Sequence, residues 1–148
     1  MDRADVGVIG ITPGAGGTER VPDVVEEAGE GIPLLCLHTA GADTRQWRGV
    51  MNSAQITGAF RVIAFDMPWH GKSSPPAGWQ AEEYRLTAAD YSAMTLAVAD
   101  ALGLDRPVVM GCSIGGRIAL VFAIECPERF RAIIGLQSGA TIDPFWVT

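Results

Sequence analysis

Val108-Val109-Met110-Gly111-Cys112-Ser113-Ile114-Gly115-Gly116-Arg117 is the stretch on which the reading of this chain turns. An apolar, β-branched run enters Gly-x-Ser-x-Gly, and a helical pattern carrying Ile118, Val121 and Phe122 leaves it. Strand, serine and helix in that order make the context of a nucleophile elbow, in which the serine sits on a strained turn. The residues two places before and after the serine must be small. Gly111 and Gly115 meet that need, because a side chain at either place is expected to collide with the opposite limb of the turn. The turn also sets Ser113 at a helix N-terminus, where free N–H groups and the positive end of the dipole favour a developing oxyanion. A glycine-rich turn with a solvated serine explains the glycines alone, not the strand and helix around them.

Working outward, strand and helix patterns alternate. Val24-Val25-Glu26-Glu27 reads as a short strand followed by a tight turn through Gly31. Pro33–Leu37 is a continuous apolar run, as expected of a strand buried on both faces. Trp47, Val50, Met51 and Ala54 recur at helical spacing, which predicts one helix from Thr44 to Gly58. Phe60–Phe65 is a further strand, and residues 66–78 form a loop. Thr87 with Asp90 three places on predicts a capped helix whose stripe is Tyr91, Met94, Val98 and Leu102. The helix after Ser113 stops before Pro127, and 131–137 reads as a last strand. The alternation predicts an α/β fold, a mostly parallel sheet with helices on both faces. Residues 1–20 are expected to be a flexible N-terminal segment and 21–148 a partial domain of that class. The glycines of 12–18 lack the lysine that a phosphate-binding loop requires.

Bulk properties exclude several functions. The chain has 148 residues, of which 48% are hydrophobic and 19% charged, which suits one soluble domain with a real core. Its net charge of −6, without a basic cluster, argues against binding nucleic acid. No apolar run approaches the ~20 residues of a membrane span. The first residues lack the basic region of a secretory signal, so a cytoplasmic location is expected. Cys36, Cys112 and Cys126 lie in apolar contexts, read as reduced, packed thiols, and their spacing fits no zinc site.

Four segments together resemble the α/β-hydrolase fold superfamily, in that family's order. Leu37-His38-Thr39-Ala40-Gly41 resembles its His-Gly oxyanion loop. Phe65-Asp66-Met67-Pro68-Trp69-His70-Gly71-Lys72-Ser73 resembles its Asp-x-x-Gly-x-Gly-x-Ser loop. Gly111–Gly116 resembles its elbow, and Cys126-Pro127-Glu128-Arg129-Phe130 the turn that ends the elbow helix. The resemblance implies Ser113 as nucleophile. It implies an oxyanion hole made of the Ile114 N–H and one N–H from the 39–40 region, Ala40 foremost, with Thr39 standing where the family usually has glycine. It implies a small ester, lactone or thioester as substrate, with C–C bond hydrolysis also known in the family, and no metal or organic cofactor.

The family's order is serine, acid, histidine, yet no histidine follows Ser113 and the only two are His38 and His70. The chain is therefore expected to be the N-terminal portion of such a hydrolase. Either it acts as a serine hydrolase, or it is an inactive fragment or a half completed by a second chain or a C-terminal segment. His38, His70 and Trp69 are expected at the edge of the pocket, because their loops leave the same sheet edge as the elbow. Trp79 and Trp146 suit either an acyl pocket or core packing. Asp66 is expected to fix its own turn, Asp143 to be a solvated loop residue, and Cys112 to point into the fold.

Overall fold

The computed structural model describes residues 7–9, 24–75, 79–81, 83 and 86–139. Its strands are β1 (Gly7–Ile9), β2 (Val25–Ala28), β3 (Ile32–Leu37), β4 (Phe60–Phe65), β5 (Val108–Cys112) and β6 (Ala132–Leu136). Its helices are α1 (Arg48–Met51), α2 (Ala54–Thr57), α3 (Ala88–Ala101) and α4 (Ile114–Glu125). One six-stranded sheet has the order β1-β2-β4-β3-β5-β6. The β4-β3-β5-β6 part is parallel, while β1 and β2 add to it antiparallel. The N-terminal segment thus contributes β1, paired Gly7 to Glu27 and Ile9 to Val25. The remainder of 1–20, Asp143 and Trp146 lie outside the described residues.

Period-two alternation sorts the strand side chains into two cores. Leu35, Leu37, Ile63, Phe65 and Val109 pack with Tyr91, Met94 and Val98 of α3 and with Ile118 and Phe122 of α4. Leu34, Cys36, Val62, Ala64 and Val108 point the other way, against Trp47 and Met51. Helical cover therefore lies on both faces. The crossover from β3 to β4 carries α1 and α2, and that from β4 to β5 carries α3. The two crossovers step in opposite directions along the sheet. Since parallel crossovers are right-handed, they must lie on opposite faces. The strand order reverses at β3 and β5, and ligands of open α/β sheets bind beyond the carboxyl ends of the strands at such a point.

The helix expected from Thr44 to Gly58 is broken. A 3-10 turn over Thr44–Trp47 leads into α1, and Ser53, extended at φ −85° and ψ 106°, separates α1 from α2. Asn52 and Ser53 are residues that compete locally with helical hydrogen bonds, and helical spacing of the apolar residues does not register that. α3 starts as expected. The Asp90 N–H donates to Thr87 Oγ1 and the Thr87 N–H donates to Asp90 Oδ2, each at 3.1 Å. Among the described residues β6 is an edge strand, and Ile134 and Leu136 on it are each 39% exposed. No described helix is long and apolar enough to cross a membrane.

Candidate active site

β5 ends at Cys112 and α4 begins at Ile114, so Ser113 alone makes the turn between them. It does so at φ 53° and ψ −114°, a left-handed conformation that non-glycine residues rarely adopt. The collision expected at Gly111 is present, since a Cβ there would lie 2.1 Å from the Gly115 carbonyl oxygen and 2.6 Å from the Gly116 nitrogen. At Gly115 the reason differs from the one expected. A Cβ there would meet the carbonyl oxygens of Leu37 at 2.4 Å and His38 at 2.8 Å, on the neighbouring strand rather than the opposite limb. The second glycine thus lets the start of α4 seat against the end of β3. Ser113 is exposed, and its N–H donates to the Leu136 carbonyl at 2.9 Å. The Ile114 N–H opens α4, among the first four amides that a helix leaves without an internal partner.

The loops after β3 and β4 are tied together at His38. The Met67 N–H donates to its Nε2 at 3.2 Å, so that nitrogen carries no proton. Its Nδ1 lies 2.8 Å from the Thr39 carbonyl, which only accepts, so the proton sits on Nδ1. The Tyr91 hydroxyl donates to the His38 carbonyl at 2.9 Å. His38 is 1% exposed and both ring nitrogens are engaged within its own loops. His70 lies with its ring centroid 5.0 Å from that of His38, and its Nδ1 is 3.0 Å from the Pro68 carbonyl.

Burial lowers the His38 pKa from its usual 6.5, and the neighbouring His70 adds to that, against a rise from the bond to Thr39. The folded state then binds fewer protons than the unfolded one. Stability contributed by neutral His38 is full above pH 6.5 and falls as the pH drops below it toward the lowered value. A proton-detected titration is expected to show the His38 ring neutral at pH 6.5 and charging only below it. A midpoint at or above 6.5 overturns this account of its burial.

Asp66 holds its own turn, as expected. Its carboxylate accepts from the Thr44 N–H at 2.6 Å and the Lys72 N–H at 2.8 Å, and the Ser73 hydroxyl donates to its carbonyl at 2.6 Å. Trp69 stands at the first glycine of the motif that this loop resembles, yet keeps a left-handed φ of 71°. Its ring meets Trp79 edge to face, with centroids 5.1 Å apart. Cys112 is half-buried rather than fully packed. It joins the core around Leu34 and Cys36, and its thiol lies 3.5 Å from Gln137 Oε1.

Three contacts escaped the sequence. Gln46 Oε1 accepts the Thr39 N–H at 3.0 Å, so of the two candidate amides in the 39–40 region that of Thr39 is already bonded. Lys72 pairs with Glu26, a carboxylate buried on β2. Arg45 pairs with Asp43 and, through that hydrogen bond, holds its carboxyl down at about 2. Lys72, Arg45 and Asp43 line a cleft of about 360 Å³ with Thr44, Arg48, Asp66 and Gly71, on a part of the loops that does not include Ser113.

Residues 32–147 match a family model described as the alpha/beta hydrolase fold. The chain is 34% identical over 123 residues to the 2-hydroxymuconate semialdehyde hydrolase of Pseudomonas sp. (strain CF600), covering 81% of this chain and 41% of that protein. It is 34% identical over 115 residues to the 2-hydroxy-6-oxo-6-phenylhexa-2,4-dienoate hydrolase of Comamonas testosteroni, covering 76% of this chain and 38% of that one. In fold it is similar to the enol-lactonase from Burkholderia xenovorans LB400, with a TM-score of 0.70 at 23% identity, over 83% of this chain and 46% of that one. The chain spans about two fifths of the length of these curated relatives. The family match begins at the first residue of β3 and runs through both loops and the elbow, the segments that the geometry joins at one sheet edge, and the chain belongs to the α/β-hydrolase fold family.

Proposed function

We propose that the chain carries the nucleophile and the oxyanion donors of a serine hydrolase. The Ser113 Oγ attacks a carbonyl carbon, and the oxygen that gains the charge is held by the N–H groups of Ile114 and Ala40. Collapse of that intermediate expels the leaving group, and water then releases the acid from the serine. The observation that carries this reading is the backbone of Ser113, a non-glycine residue forced to φ 53° between two glycines that have no room for a Cβ. Strain of this kind costs about 1–3 kcal/mol and persists where surrounding structure imposes it, most often at functional sites.

The substrate class follows from the chemistry of the site and from the relatives. A small ester, lactone or thioester suits a serine nucleophile with backbone donors. The family resemblance adds a second class, hydrolysis of a C–C bond, and the curated relatives are named as hydrolases of a hydroxymuconate semialdehyde and of a hydroxy-oxo-phenylhexadienoate. The base is the remaining part. His38 has both nitrogens committed, so we assign the base to a group other than His38. A second reading, a half that is inactive until completed, is favoured by the same commitment of His38.

Fluorophosphonate labelling of the folded chain tests the proposal. Label confined to Ser113, absent in Ser113→Ala, and slower than in a complete triad by about 10²-fold or more is expected, since a positioned base contributes that much. A folded chain that takes no label at Ser113 would sink the nucleophile assignment.

A further inference from the structure

Thr39 is held on both sides. Its N–H donates to Gln46 Oε1 at 3.0 Å. Its carbonyl accepts from His38 Nδ1 at 2.8 Å and from the Ala42 N–H at 3.2 Å. A trans peptide is planar, with C=O and N–H pointing in opposite directions, and the described residues contain no cis bond. The Thr39 carbonyl and the Ala40 N–H share one such plane, so whatever fixes the first aims the second. The preceding plane, which carries the Thr39 N–H, is fixed by Gln46. Thr39 lies between two anchored planes, which removes the freedom of its φ and ψ.

Gln46 is itself well placed to act as an anchor. It belongs to the 3-10 turn Thr44–Trp47, where its N–H donates to the Asp43 carbonyl at 3.0 Å. The turn is pinned by the bond from the Thr44 N–H to Asp66 and by Trp47, which is buried in the core. From this base the Gln46 side chain reaches back seven residues to Thr39. At Thr39 the family's loop usually has a glycine, which has more backbone freedom to lose.

We propose that Gln46 is a positioning residue for the oxyanion hole. It withdraws the Thr39 N–H from the hole and sets the loop so that the Ala40 N–H is the donor that works with Ile114. The role rests on the reading of Ser113 as nucleophile.

The test compares Gln46→Ala, which removes the acceptor, with Gln46→Glu, which keeps an acceptor oxygen. Three quantities are read at pH 7: exchange of the Thr39 amide by NMR, the rate of fluorophosphonate labelling at Ser113, and the thermal midpoint. Gln46→Ala is expected to speed Thr39 exchange and to slow labelling, each by about tenfold or less, the scale of one net hydrogen bond. Gln46→Glu is expected to restore both, with midpoints within about 2 °C of the parent, because an exposed contact adds little to global stability. Unchanged exchange at Thr39 in Gln46→Ala overturns the proposal. Faster exchange with unchanged labelling overturns it too, as does Gln46→Glu behaving like Gln46→Ala. A parent chain in which Ser113 takes no label removes the nucleophile reading and the donor role with it. Exchange at Thr39 then still shows whether Gln46 holds the loop, so the two failures are told apart.

Discussion

Gly111→Ala is expected to destabilise the fold by more than about 3 kcal/mol and to abolish labelling of Ser113. The added methyl would lie 2.1 Å from the Gly115 oxygen, 2.2 Å from its carbonyl carbon and 2.6 Å from the Gly116 nitrogen. All three are backbone atoms, so no side-chain rotation relieves the overlap. The strand end and the helix start must part, and the strained conformation of Ser113 goes with them. Gly103→Ala is the control. Gly103 has a positive φ of 59° but nothing within 4 Å of its Cβ position, so it is expected to cost only the ~1–2 kcal/mol of a left-handed alanine. Urea denaturation of both variants decides the matter. Equal losses would mean that the close approach at Gly111 contributes nothing.

His38→Ala is expected to cost about 3 kcal/mol, the second largest loss. The imidazole is 1% exposed, and its removal leaves the buried Met67 N–H without its acceptor and the Thr39 carbonyl without its shorter bond. An orphaned buried donor costs about 1–3 kcal/mol, and the space left by the ring adds a cavity term. The bond from the Tyr91 hydroxyl survives, because it ends on the His38 backbone. Amide exchange should therefore speed up first at Met67 and in the loop after β3, not along α3. A loss below about 1 kcal/mol would show that the ring is not what joins the two loops.

What could be read from the sequence was local. Gly-x-Ser-x-Gly between a strand and a helix dictates its own turn, and the Thr87 to Asp90 box lies within one helical turn. The continuous apolar run Pro33–Leu37 marks a strand buried on both faces without reference to any other strand. What failed depended on distance or on backbone competition. The contact of Gly115 with the carbonyls of Leu37 and His38 joins two strands far apart in the chain, and nothing in a glycine tells which neighbour it makes room for. Gln46 and Thr39 are seven residues apart across a loop with no periodicity. Glu26 and Lys72 meet because β2 lies beside β4, and two charges at that separation carry no signal in sequence. The break between α1 and α2 went unseen because the apolar spacing of Trp47, Val50, Met51 and Ala54 is the same with or without it.

The bond from the Ser113 N–H to the Leu136 carbonyl has a consequence for the order of events during folding. A left-handed serine persists only where the surrounding structure imposes it, so the turn is expected to set after β5 has paired with β3 and β6. Its strain is supplied by contacts from both neighbouring strands. Substitutions that weaken those contacts are expected to act mainly on the unfolding rate, the mark of interactions made after the transition state. The conformation of Ser113 is thereby coupled to the pairing of β6 with β5.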